Sequence, residues 1–262
     1  MLINDCAICV RAIDYSETSQ VVTFFARHAG KITLMAKGAK RTRSSFGGPI
    51  EIFSCGKMVY SDSGRDKMGT LAEFEQLAEM PGSSAFAGDM FTLNCCLFAV
   101  ELVNLLTTDF DPHPGLFDAL LTFLNEVSRG KKNALAPLVL FQLILLREIG
   151  LCPVFEFCVN CKNHFNIQSQ QAPLGPARDA AHVPHGVYFS NNARGLICKD
   201  CQGAFPDGVP IAKKTVNCLA NVDSISSADE RIVSEIEGVL ISYFTDTLGR
   251  APKMSKYITR RQ

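Results

Sequence analysis

Four cysteines in this chain are spaced for metal chemistry. Cys158-Val-Asn-Cys161 and Cys198-Lys-Asp-Cys201 are each Cys-x2-Cys, with 36 residues between Cys161 and Cys198. A Cys-x2-Cys turn holds two thiolates about one edge of a ZnS4 tetrahedron apart, and two such turns close a four-coordinate structural site with no open position. Lys162 and Lys199, each beside a thiol, could offset part of the negative charge of a tetrathiolate centre. Two redox pairs, or four unrelated core thiols, would use the same residues, because cysteine is commonly buried. The doubled spacing favours one structural Zn²⁺ held by Cys158, Cys161, Cys198 and Cys201. His164, His182 and His185 are spare donors, but four cysteines already fill the shell, so the histidines read as loop residues.

A second set of residues is suited to phosphate. Arg27, Lys31, Lys37, Lys40, Arg41 and Arg43 lie in a stretch, Arg27–Arg43, that contains no Asp or Glu. Lys37-Gly-Ala-Lys-Arg-Thr-Arg-Ser-Ser is a basic, small-residue loop; its cations would release counterions from a nucleic-acid backbone and its glycine would let the main chain approach. Phe24, Phe25, Phe46, Phe53 and Tyr60 could offer stacking faces to unpaired bases. The plainer alternative is a solvated basic loop with core aromatics. For each aromatic the core reading is favoured; for the loop, the lack of acidic residues favours nucleic acid. Catalytic motifs are missing: there is no P-loop, no Gly-x-Gly-x-x-Gly after a strand and no His-Glu-x-x-His. The expectation is a binding protein rather than an enzyme.

The elements that must position these residues differ along the chain. Leu2–Glu79 reads as all-β, with strands at Cys6–Tyr15, Ser19–Ala26, Gly30–Gly38, Ile50–Ser61 and Met68–Ala78 and a turn at Ser61-Asp-Ser-Gly64. Short strands at this density fit an OB-fold or SH3-like barrel. Cys6 and Cys9 imitate a third metal pair, but they fall on opposite faces of a strand and read as packing residues. After Met80-Pro-Gly-Ser-Ser84 the apolar period becomes helical over Phe86–Leu106, Leu116–Ser128 and Ala134–Ile149. The last is apolar nearly all round, has Pro137 in its first turn, and has Gly150 placed as a C-cap, as a central bundle helix should. Asn166–Pro184, polar and proline-punctuated, reads as a flexible loop; Gly186–Gly195 reads as a strand and turn leading into the second cysteine pair. A further helix starts near Ser226, with Ser227 as N-cap and Glu230 completing a capping box, and runs to about Leu248. The tail Gly249–Gln262 carries Arg250, Lys253, Lys256, Arg260 and Arg261 without an acidic residue.

Composition narrows the function classes. Nearly half of the 262 residues are apolar, a fifth are charged, and the formal net charge is zero. There is therefore no global attraction to nucleic acid or acidic lipid, and any such binding must be local. The N-terminus lacks a signal-like pattern, and the long uncharged apolar run Asn133–Leu146 is too short for a bilayer span of about 20 residues. With 11 cysteines and a paired metal spacing, a reducing cytosol is expected, with no membrane partner.

In order, the motifs resemble the bacterial RecO family of recombination mediators. The residues that carry the resemblance are Tyr15-Ser-Glu-Thr-Ser19, Gly30-Lys-Ile-Thr, Lys37-Gly-Ala-Lys-Arg41, Phe46-Gly-Gly-Pro, Ala99-Val-Glu-Leu102, Phe141 with Leu145-Leu-Arg-Glu-Ile-Gly150, Gly195-Leu-Ile-Cys198, and Tyr243 with Leu248-Gly-Arg-Ala-Pro-Lys-Met-Ser-Lys256. They span nearly the whole chain, and their order is more specific than any one of them. The segment Gln168–Val183 departs from the family pattern in being longer and richer in Pro and Ala. The resemblance implies an α+β multidomain fold: an OB-fold-like barrel over residues 1–80 and a helical domain over 81–262, with a four-cysteine zinc-binding insertion at 155–205 and a basic tail at 249–262. It implies binding of single- and double-stranded DNA, annealing of complementary strands, cooperation with RecR, and loading of the RecA recombinase onto DNA coated by single-strand-binding protein. It implies a cytoplasmic, nucleoid-associated protein. Because some relatives lack the cysteines, DNA binding need not depend on the metal. A thiol oxidoreductase using the Cys-x2-Cys pairs, or a zinc-containing interaction module that does not bind DNA, remain the rival readings.

Overall fold

The computed structural model describes residues 2–42, 44–61, 68–77, 86, 88–129, 133–165 and 186–259. The chain forms two compact units, Met1–Ile149 with Pro252–Gln262, and Gly150–Ala251.

The first unit begins with strands β1 (Leu2–Asp14), β2 (Gln20–Ala26), β3 (Gly30–Ala36), β4 (Cys55–Ser61) and β5 (Gly69–Gln76). They close into a barrel in the order β1-β2-β3-β5-β4. All neighbours are antiparallel except β3 and β5, which meet in parallel through Leu34↔Gly69 and Met35↔Thr70. This is the small OB-like barrel that the strand density predicts. Alternate residues fill its interior, including Ala7, Cys9, Val22, Phe24, Ile32, Leu34, Met58 and Phe74, as period-two side-chain alternation requires. The fourth strand starts later than its apolar run suggests. Phe53 there has φ 71, its amide donates to the Cys9 carbonyl, and its ring meets Phe86 edge-on at 5.3 Å. A turn therefore occupies the start of that run.

Helices α1 (Met90–Leu106), α2 (Pro114–Ser128) and α3 (Leu135–Glu148) follow. Asp89 caps α1 by accepting from the Phe91 amide and the Thr92 hydroxyl, and Pro114 opens α2 where a missing N–H costs nothing. Buried positions lie nearly all around α3, and Phe123 of α2 stacks on Phe141 of α3 at 5.7 Å. The uniformly apolar composition of α3 is thus that of a helix with neighbours on most sides. Phe25, on the outer face of β2, contacts Phe117 of α2, so both faces of β2 are buried. The C-terminal residues return to this unit: the Glu101 carboxylate accepts the main-chain N–H groups of Lys253 and Met254. A short helix α7 (Ser255–Ile258) then packs on α1, with Ser255 and Ile258 buried.

The second unit contains strands β6 (Val187–Ser190), β7 (Gly195–Cys198) and β8 (Val209–Ile211), in the order β7-β6-β8. Around them lie α4 (Lys199–Gln202), α5 (Lys213–Ala220), a 3-10 helix (Val222–Ser227) and the long α6 (Glu230–Leu248). The expected strand and turn before the second cysteine pair form a β6–β7 hairpin, closed by the Arg194 amide on the Asn191 carbonyl. Asp207 braces this turn, accepting from the Ser190 hydroxyl and the Asn192 amide. Asp229, not Ser227, caps α6, because Ser227 belongs to the preceding 3-10 helix while the Asp229 carboxylate accepts the Arg231 amide. Phe155 stacks on Phe189, which meets Tyr243 edge-on, and the Tyr243 hydroxyl donates to the Leu151 carbonyl.

Candidate metal centre and nucleic-acid interface

The second unit brings the four spaced cysteines to one point. The Sγ atoms of Cys158, Cys161, Cys198 and Cys201 all lie within 4.8 Å of one another, and Cys161 and Cys198 are 3.8 Å apart. A ZnS4 tetrahedron with bonds of about 2.3 Å has edges of about 3.8 Å. The main chain explains the convergence. Val154 and Val159, which lie on either side of Cys158, both hydrogen-bond to Leu196 of β7, through Leu196 N to Val154 O and Val159 N to Leu196 O. That approach needs Gly195, where a Cβ would stand 2.5 Å from the Val154 carbonyl oxygen. The first knuckle is closed by the Lys162 amide on the Cys158 carbonyl at 2.8 Å and the Cys158 amide on the Asn163 carbonyl at 2.9 Å, with Lys162 in the left-handed region at φ 63.

The electrostatics call for a cation. Burial raises the Cys158 thiol, but the backbone amides of Cys161, Cys198 and Asn160 outweigh it and draw the group down to about 7. The Cys198 amide lies 3.4 Å from that sulfur. Cys198 itself is pushed up to about 12, by burial and by the sulfurs of Cys201, Cys158 and Cys161. Four thiols this close cannot ionise together unless a positive ion sits among them, and a divalent thiophile does that. The cluster fits zinc. The Asn160 side-chain amide, 3.3 Å from the Cys201 sulfur, is an outer-shell donor that no spacing rule points to. His164 does not join the cluster; it pairs with Phe157 across a short antiparallel bridge. His182 and His185 lie outside the described residues, as does the expected loop Asn166–Pro184. Redox exchange would need one accessible pair, whereas here the sulfurs of both pairs converge on one point, which favours a shared metal.

In the first unit the basic residues separate into kinds. Lys37 and Arg41 are exposed. Lys40 pairs with Asp14 at 2.6 Å, and Arg27 with Asp118 at 2.8 Å. Lys31 is buried: its ammonium donates to the Asn104 and Thr107 carbonyls at 2.9 and 2.7 Å, with Asp109 3.4 Å away. It ties β3 to the C-terminal end of α1, where unsatisfied carbonyls favour a cation, and is withdrawn from any phosphate-binding surface. Arg43 lies outside the described residues. The five aromatics also sort: Phe24, Phe25, Phe53 and Tyr60 are buried, while Phe46 is partly buried against the barrel core.

A groove of about 430 Å³ lies where the β1–β2 turn meets the end of β3, lined by Tyr15, Ser16, Ser19, Lys37, Gly38 and Arg41 among others. Two loops are tied together there: the Lys40 amide donates to the Thr18 carbonyl at 3.1 Å and the Gly38 amide to the Ser19 hydroxyl at 3.3 Å. Gly38, at φ 74, makes the turn that leaves Lys37 and Arg41 on the same rim, a conformation that strains residues with a Cβ.

Residues 1–80 match the family described as recombination protein O N terminal, and residues 87–256 match recombination protein O C terminal. The chain belongs to the RecO family. Curated RecO relatives named DNA repair protein RecO are similar over much of their length. That of Anaeromyxobacter sp. (strain K) is 30% identical over 213 residues, covering 81% of this chain and 75% of its own. That of Bacillus subtilis (strain 168) is 26% identical over 263 residues, covering 97% and 93%. The resemblance drawn from ordered motifs therefore holds. One RecO motif, Tyr15-Ser-Glu-Thr-Ser19, carried no functional assignment in the sequence, yet it forms one wall of the groove. The signal available was its place in a polar turn beside a basic one, but nothing linear shows that the two turns meet.

Proposed function

We propose that this protein is a DNA repair and recombination mediator that binds single- and double-stranded DNA, anneals complementary strands and helps to load the recombinase onto strands coated by single-strand-binding protein, in cooperation with RecR. Its setting is the cytoplasm and nucleoid; among the described residues no helix is long and apolar enough to cross a membrane. The observation that carries the reading is RecO family membership joined to an OB-like barrel whose loop end presents Lys37 and Arg41 to solvent. Barrels of this type commonly bind oligonucleotides through such loops, and cations there gain affinity from counterion release.

One Zn²⁺ on Cys158, Cys161, Cys198 and Cys201 stabilises the second unit. Bound zinc supplies charge neutralisation and a cross-link; the knuckle amides orient the sulfurs. DNA binding by the barrel need not depend on the metal, since the barrel and the four cysteines belong to different compact units. The mediator role needs no catalytic group of its own: neutralising two backbones at once raises local strand concentration. The test is annealing of complementary oligonucleotides, bare and coated by single-strand-binding protein, with and without ATP. Annealing at the same rate without ATP, slowed by the double change Lys37→Ala and Arg41→Ala, supports the reading. An ATP requirement, or full activity of the double variant, would refute the passive mechanism or the barrel site respectively.

A further inference from the structure

We propose that Tyr15 is a base-stacking residue that makes the loop end of the barrel selective for unpaired strands. The proposal rests on the DNA-binding reading of Lys37 and Arg41 and adds to it a residue and a preference. Tyr15 stands at the end of β1 with 69% of its surface exposed, an unusual state for a ring that gains from burial. The main chain that carries it is hydrogen-bonded across the turn. The Tyr15 amide donates to the Ser19 carbonyl at 2.9 Å, the Ser16 amide donates to the same oxygen, and the Ser16 hydroxyl accepts the Thr18 and Ser19 amides. The turn that carries it is fastened in turn to the Lys37–Arg41 loop by the Thr18 and Ser19 bonds already described. An exposed aromatic ring on a hydrogen-bonded turn and two exposed cations thus share one groove.

Comparison with the other exposed aromatics singles Tyr15 out. The described rings with large exposure also include Phe110 and Tyr257, at 56% and 44%. Phe110 has no Lys or Arg within ten residues in sequence, and its neighbours Asp109 and Asp111 pair with the buried Lys31 and with His113, so it lacks the exposed cations that share a groove with Tyr15. The ring of Tyr257 already carries the Lys256 ammonium, 4.8 Å from its centre. Tyr15 has acidic neighbours too, but Asp14 is neutralised by Lys40 at 2.6 Å, and Glu17 is not among the residues that line the groove. A groove of about 430 Å³ falls in the size range of small-ligand sites, enough for a nucleotide. In a strand laid across it, Lys37 and Arg41 hold a phosphate while the base turns onto the Tyr15 ring. A base in a duplex is already stacked on both faces and cannot do so, so the ring adds affinity for single strands only.

The absence of tryptophan from the chain makes a direct test available. Tyr15→Trp introduces a single indole, whose fluorescence a stacked base quenches. Titration with an oligonucleotide should quench it, and titration with a strand abasic throughout, or with a duplex, should not. In parallel, Tyr15→Ala should weaken single-strand binding roughly thirty-fold, the middle of the range for loss of one stacked base. It should leave duplex affinity and the salt slope unchanged, and Tyr15→Phe should restore the loss. Equal losses for single strand and duplex, an unchanged single-strand affinity, or quenching by the abasic strand would overturn the proposal. The DNA-binding reading fails separately, if the Lys37 and Arg41 variants bind both substrates as tightly as the native chain.

Discussion

At the scale of single residues, charge type is a poor guide to charge use. Lys31, Lys37 and Arg41 lie within eleven residues of one another in the numbering, yet Lys31 caps a helix and the other two face water. The salt dependence of binding separates these roles. Each phosphate contact on a single strand contributes about 0.7 to the log–log slope, so the double change Lys37→Ala and Arg41→Ala should flatten the slope by about 1.4. Lys31→Met should leave the slope as it is and instead lower stability by about 2 kcal/mol. It removes charge-assisted bonds and strands two partly buried carbonyls. A Lys31 variant with native melting and a flattened slope would reverse the assignment. Thiols sort in the same way: burial pushes Cys9, Cys55 and Cys96 up to about 12, which leaves them inert near neutral pH.

At the scale of elements, the second unit depends on two knuckles and a three-stranded sheet whose strands are three or four residues long. Strands that short give little independent stability, so a cross-link among Cys158, Cys161, Cys198 and Cys201 should matter. Alkylation followed by peptide mapping reads this. With zinc bound, iodoacetamide should modify the exposed Cys152 and spare those four; after chelation all four should label and the unit should melt earlier. Cys198→Ser should reproduce the chelated pattern without chelator. Protection of the four cysteines that survives chelation would exclude zinc as the cross-link. Because the barrel belongs to the other compact unit, DNA binding should survive in part.

At the scale of the whole molecule, the proposed annealing would need more than one basic surface, since a single site holds a single strand. The C-terminal residues are candidates for the second. They read as an end without an acidic partner, but Glu101 fastens the main chain of Lys253 and Met254, and Ile258 is buried. Their order comes from a carboxylate distant in sequence, and the Lys253 and Lys256 side chains remain on a fixed surface. Arg260 and Arg261 lie outside the described residues. Lys253→Ala with Lys256→Ala should slow annealing by several-fold while changing the affinity for one strand much less. Annealing at the native rate would place the second surface elsewhere. Truncation is a poorer probe, because it also removes the buried Ile258.

What the sequence determined by itself was set by local physics. Strand alternation placed the barrel, an all-round apolar run marked α3 as central, and doubled Cys-x2-Cys spacing picked out the four thiols that meet at one point, because a tetrahedral site restricts spacing within each pair. The order of weak motifs was enough to point to the family. Tertiary structure decided what depends on residues far apart in the chain. It buried Phe24, Phe25, Phe53 and Tyr60, which composition alone leaves eligible for stacking, and removed Lys31 from the basic surface through carbonyls of α1 and its C-cap, 73 and 76 positions away. It also joined the Tyr15 turn to the Lys37 loop. A linear pattern reports which face of an element a side chain takes, but whether that face meets water, a helix end or another loop is settled only when the elements pack.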